Sequence, residues 1–152
     1  MESSMKLVYG ITPKVLSPQS LIDCDTYDYG CIGGRPKQAI DYILIESEED
    51  YPYTGSLGAC KLNESKAALP YSKDVVLYMI PGYRLQYDLA TKGPFVAMID
   101  ASSDSFKNYT SGVYYNPGCQ NDLKKLNHGI LVVGYGTDPK EGDYWLLVSP
   151  LR

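Results

Sequence analysis

The eleven residues from Leu126 to Gly136, L-N-H-G-I-L-V-V-G-Y-G, constrain this chain more than any other stretch. Five apolar or small residues follow His128, short and rich in β-branched side chains, which reads as a buried strand rather than a helix. Gly134 and Gly136 are expected to mark where that strand stops. His128 is the only histidine in the 152 residues, and it stands at the mouth of the strand. A histidine there rests on rigid backbone, and imidazole titrates close enough to neutrality to act as a base and then as an acid. A structural histidine satisfied by hydrogen bonds is the competing reading, and the strand alone does not separate the two.

Size and charge narrow the rest. A chain of 152 residues buries roughly two thirds of its unfolded surface on folding. No apolar run approaches the roughly 20 residues of a membrane span. The net charge of −4 and the lack of a basic stripe make nucleic acid and membrane poor partners. Cys24, Cys31, Cys60 and Cys119 form no Cys-x-x-Cys pair, and one histidine cannot complete a usual finger, so no metal is expected. Asn63-Glu64-Ser65 and Asn108-Tyr109-Thr110 are glycosylation sequons, at Asn63 and Asn108, if the chain enters the secretory pathway. Met1-Glu2-Ser3-Ser4 lacks the basic and apolar regions of a signal peptide, so the interior looks secretory and the start does not. That conflict suggests a truncated chain.

Along the sequence, residues 1–15 show no clear periodicity, and Pro13 stops any helix. Ser17 reads as an N-cap with Pro18 at the first helical position. Gly33-Gly34 lets backbone approach backbone with no Cβ between. Pro36 to Ser47 reads as an amphipathic helix with Ala39, Ile40, Ile43 and Leu44 on one face. Glu46, Glu48, Glu49 and Asp50 read as a solvated acidic face. The segment 54–71 is loop-like, 74–80 a strand, 85–92 a short helix stopped by Gly93, and 94–101 a strand.

Three stretches in order resemble the papain-like cysteine peptidases, the cathepsin family. They are the histidine stretch, the segment L-S-P-Q-S-L-I-D-C from Leu16 with G-C-I-G-G from Gly30, and the run G-P-F-V-A-M-I-D-A from Gly93. Tyr51-Pro52-Tyr53 and F-K-N-Y-T-S-G-V-Y-Y from Phe106 add to the likeness, which covers about Leu16 to Trp145 and is closest to cathepsin L-like and insect digestive members. The resemblance implies an α+β fold of two parts, helical over about 1–70 and β-barrel over about 71–152, both incomplete. It makes His128 the catalytic base by descent, in a family that hydrolyses peptide bonds without a cofactor. It implies that Gly33 and Gly34 form an edge to which an extended peptide adds as a strand. Arg35, Pro36, Met98, Leu126 and Gly129 would line the pocket for a substrate side chain, though ordinary packing explains them equally well. Partners would be a peptide or protein substrate, or a proteinaceous inhibitor, and the compartment lysosomal or secreted.

The same resemblance shows what to look for and not find. The family nucleophile lies in C-G-[SA]-C-[WY], with the histidine roughly 130–150 residues downstream. Counting back from His128 passes Met1, and no such motif occurs in the chain. At the other end Tyr144-Trp145-Leu146-Leu147-Val148-Ser149 puts Ser149 where the family carries the asparagine that orients the imidazole. Truncation at both ends is therefore expected. By the family pattern Cys24 pairs with Cys60, while Cys31 and Cys119 are orphaned. Loss of a triad nucleophile costs about 10⁶-fold in turnover, roughly 8 kcal/mol of barrier. The expectation is a family member that is inactive alone, or a homologue that binds peptides or inhibitors without cutting them.

Overall fold

The structure, a computed structural model, describes residues 1–42, 44–68, 82–119 and 122–149. The chain divides into two compact units, Met1–Met79 and Ile80–Arg152. Helices with an antiparallel sheet make the α+β class expected from the sequence. The strand expected at 74–80, with Ile43 of the helical face, lies outside the described residues.

The first unit opens with α1, Glu2–Tyr9, although residues 1–15 show no clear helical periodicity. Its register buries Met5, and Gly10 ends it in the left-handed region at φ 67°, its N–H donating to Lys6 O. The stop is thus Gly10 and not Pro13. Next comes α2, Pro18–Cys24. Ser17 caps it as its sequence suggests: Oγ accepts from Ser20 N at 3.1 Å and donates to Tyr51 O.

The third helix, α3, spans Pro36–Asp41 and is half the expected length. Tyr42 is already extended, and the chain beyond it is captured by another segment: Ser17 N donates to Glu46 O, Glu48 N to Val15 O, and Leu16 bridges Ser47. Ile45 is buried in that pairing, so a tertiary bridge overrides the local helical pattern. The acidic run is corrected with it. Glu46 is only 2% exposed, its Oε1 accepting from Asn63 N, while Glu49 and Asp50 remain at the surface.

The second unit holds α4, Leu85–Lys92, α5, Asp104–Lys107, and a three-stranded sheet: β1 Phe95–Ile99, β2 His128–Asp138 and β3 Gly142–Val148. The strands run in the order β1-β2-β3 and pair antiparallel, with Ile99 opposite His128 and Tyr135 opposite Trp145. Ile130 and Val132 of β2 are buried, as is Leu89 of α4. Gly134 and Gly136 do not end β2. The strand bulges between Val132 and Gly134 and runs on to Asp138. Both stand opposite β3 residues: a Cβ on Gly136 would lie 2.7 Å from Tyr144 Oη, so the tyrosine ring would have to shift, while one on Gly134 would meet Leu146 Cβ at 3.4 Å, an ordinary contact. On one face Phe95 and Tyr135 meet Trp145 edge-on at 6.5 and 6.0 Å between ring centres.

Candidate active-site residues

In the second unit the candidate site is built on the head of β2. Asn127, just before His128, ties that head at two points: its N–H donates to Ile99 O at 3.0 Å and its Oδ1 accepts from Ala101 N at 2.8 Å. The neighbouring Asp100 carboxylate accepts from the hydroxyl and the N–H of Ser102, and those bonds hold its pKa below the usual range. His128 is half-buried, and its Nε2 lies 3.0 Å from Ser149 Oγ. Ser149 directly follows Val148, which pairs with Leu131, so strand register carries its hydroxyl to the ring. Met98 stands opposite Gly129 in the β1–β2 ladder, and Leu126 is two residues ahead of His128, after the turn of Leu123–Lys125. Four expected site residues thus gather at one end of the sheet, with Ser149 on the imidazole.

In the first unit the glycine edge has a specific construction. A tight turn over Gly30–Ile32 leads to Gly33, at φ 135°, whose carbonyl accepts from Tyr29 N. Gly34 is glycine for a steric reason: a Cβ would sit 2.5 Å from Asp28 Cγ and 2.8 Å from Asp28 Cβ. Asp28 is held there because its Oδ1 accepts from Arg35 N at 2.8 Å. Arg35 O then receives Gln38 N and Ala39 N, and Pro36 opens α3. Gly33, Gly34 and Arg35 are exposed, leaving this edge open to solvent. Gly34→Ala is expected to destabilise the chain by about 1–3 kcal/mol, the range for overpacking, because the clash involves Asp28 Cβ as well as the tip. Urea unfolding with amide exchange at Arg35 checks this; an unchanged midpoint with Arg35 N–H still protected would refute it.

Cys24 and Cys60 form a disulfide, and Cys31 and Cys119 are free and exposed. Asn63 and Asn108 are exposed. Asn63 Oδ1 accepts from the N–H and hydroxyl of Ser65, whereas Asn108 Nδ2 donates to Asp104 O. Sequence reasoning missed Asp28 and Asn127. For Asn127 a signal existed, a polar side chain immediately before a buried strand. For Asp28 none did, because only the folded turn brings it under Gly34.

The family model described as papain family cysteine protease matches residues 1–149. Cathepsin R of Mus musculus is 42% identical over 154 residues, covering 90% of this chain and 42% of its own length. Cathepsin S of Bos taurus is 41% identical, over 97% of this chain and 45% of its own length. Among solved structures, the digestive procathepsin L2 proteinase from Tenebrio molitor larval midgut superposes with a TM-score of 0.85 at 36% identity, over 97% of this chain and 47% of that one. A Carica candamarcensis cysteine protease in complex with E-64 gives 0.77 at 30% identity, over 97% and 66%. The chain therefore spans less than half the length of these curated relatives.

Proposed function

This chain belongs to the papain family of cysteine proteases, and we propose that it carries the histidine and the peptide-binding edge of a cysteine endopeptidase and, by itself, binds peptides without hydrolysing them. The observation that carries this reading is the partner of His128. Its Nε2 meets a serine hydroxyl, and no thiol takes part in that contact.

Hydrolysis by this family's chemistry needs a thiolate to attack the carbonyl carbon, an imidazole to move the proton, and a group to orient the ring. His128 supplies the second. Two of the four cysteines are consumed in the disulfide, and C-G-x-C-W occurs nowhere in the 152 residues. The open edge at Gly33 and Gly34 suits an extended peptide, which adds to exposed backbone as a strand does. Within the first unit Arg35 and Pro36 would contact substrate side chains, and within the second unit Met98, Leu126 and Gly129 would do so. A proteinaceous inhibitor of extended form is a ligand of the same kind. The lysosome or the secretory pathway is the compartment this lineage suggests, and the disulfide fits it. No helix among the described residues is long and apolar enough to cross a membrane.

The experiment is turnover of a fluorogenic dipeptide amide at acidic pH under thiol, run beside labelling with an epoxide that traps reactive cysteines. The expected result is no turnover above the blank and no label, with an extended peptide still perturbing the amide resonances of Gly33 and Gly34. Turnover with label on Cys31 or Cys119, abolished by His128→Ala, would overturn the reading.

A further inference from the structure

We propose that Ser149 and His128 form a hydroxyl–imidazole pair that takes acyl groups from activated aryl esters, with Ser149 Oγ as the nucleophile. A general base must lie within about 2.6–3.2 Å of the oxygen it deprotonates. His128 Nε2 and Ser149 Oγ are 3.0 Å apart. Both ends of that contact rest on paired strands: His128 stands opposite Ile99, with Asn127 tying the strand head to Ile99 and Ala101, and Ser149 follows Val148, the partner of Leu131. Ser149 is exposed, so an acyl donor reaches Oγ from solvent. The ring is half-buried, which limits its wandering while leaving the oxygen accessible.

In the acylation step the Oγ–H proton passes to His128 Nε2 as Oγ bonds to the acyl carbon. The bond from that carbon to the aryl oxygen breaks, and the phenolate leaves with the electron pair. The imidazolium then returns its proton to solvent, and water hydrolyses the serine ester by the reverse roles. Aryl esters are the substrate class because a phenolate departs without protonation, whereas a peptide amine must be protonated as it leaves. This activity is therefore distinct from peptide hydrolysis and does not depend on the cysteine chemistry discussed above.

The test uses the full chain and p-nitrophenyl acetate. The expected result is a burst of about one equivalent of p-nitrophenolate per chain, with one acetyl group mapped to Ser149 by mass spectrometry. His128→Ala should slow acetylation of Ser149 by about 10²–10⁴-fold, the range that general-base assistance supplies. Ser149→Ala should abolish the burst while leaving the cooperative unfolding transition in place. Ser149→Cys provides a second arm that does not rely on loss: a thiol ionises far more readily than a hydroxyl, so the pair should acylate faster than the parent. Acetyl groups confined to lysines, acetylation of Ser149 at the same rate in His128→Ala, or no faster acylation in Ser149→Cys would each overturn the proposal.

Discussion

Replacing Cys24 and Cys60 together by alanine is expected to lower the free energy of unfolding by about 3–4 kcal/mol, the loop-entropy value for a closure of 36 residues. That is a large part of the roughly 5–15 kcal/mol by which a domain is stable. Its weight comes from how little apolar core the first unit has. Among the described residues, the buried hydrophobic ones in that unit are Met5, Cys24, Ile45 and Tyr51. The other buried positions there are polar: Ser17, Gln19, Ser20, Asp25, Glu46 and Ser47. Hydrogen bonds to such groups contribute only about 1 kcal/mol each in net stability. The cross-link therefore supplies what burial does not. Urea unfolding of the parent, of the parent under reductant and of the double variant measures the effect. Coincident midpoints for all three would show that the loop is held by its hydrogen bonds alone.

What the sequence made legible follows the range of the forces involved. The α2 start was readable because Ser17 and Pro18 act on their own next turn, and that rule is local. The helix from Pro36 was overextended because the residues that end it are far away in sequence: Val15, Leu16 and Ser17 pair with the chain from Glu46 to Glu48. Glu46 looked solvated for the same reason, since its partner Asn63 is 17 residues on. Gly134 and Gly136 are turn signals in isolation, yet here they lie within a strand, opposite Leu146 and Tyr144 of a partner that pairs only after a reversal at Asp138–Gly142. At the candidate site, His128 and Ser149 were both found by their motif positions. Their contact was not, because it requires β3 to dock on β2 in one register.

A second large effect is expected at Gln19, which is fully buried and uses its amide completely. Nε2 donates to Asp23 Oδ1 at 2.9 Å and to Ser56 O at 2.7 Å, while Oε1 accepts from Thr54 N at 3.0 Å and Gly55 N at 3.2 Å. Gln19→Leu keeps the volume and removes all four bonds. A polar group left unpaired inside costs about 1–3 kcal/mol, but the loop at 54–56 is exposed and can recover water. The net loss should be about 2–3 kcal/mol. The substitution should also change how stability depends on acid. Burial is the largest influence on the Asp23 carboxyl and pushes its pKa up. The Gly58 N–H, the Tyr51 hydroxyl, Gln19 and the Lys61 charge together outweigh it and hold the group below the usual carboxylate range. A carboxyl depressed by folding stabilises the protein above its unfolded pKa, about 3.9, and that contribution fades as pH falls through the folded value. Removing the Gln19 donor raises the folded value toward the unfolded one, so the variant should lose less stability than the parent between about pH 6 and pH 3. Urea midpoints at those two pH values decide the matter. If the gap between parent and variant stays constant across the window, Gln19 braces the loop without tuning Asp23; if it narrows in acid, the amide and the carboxylate act as one unit.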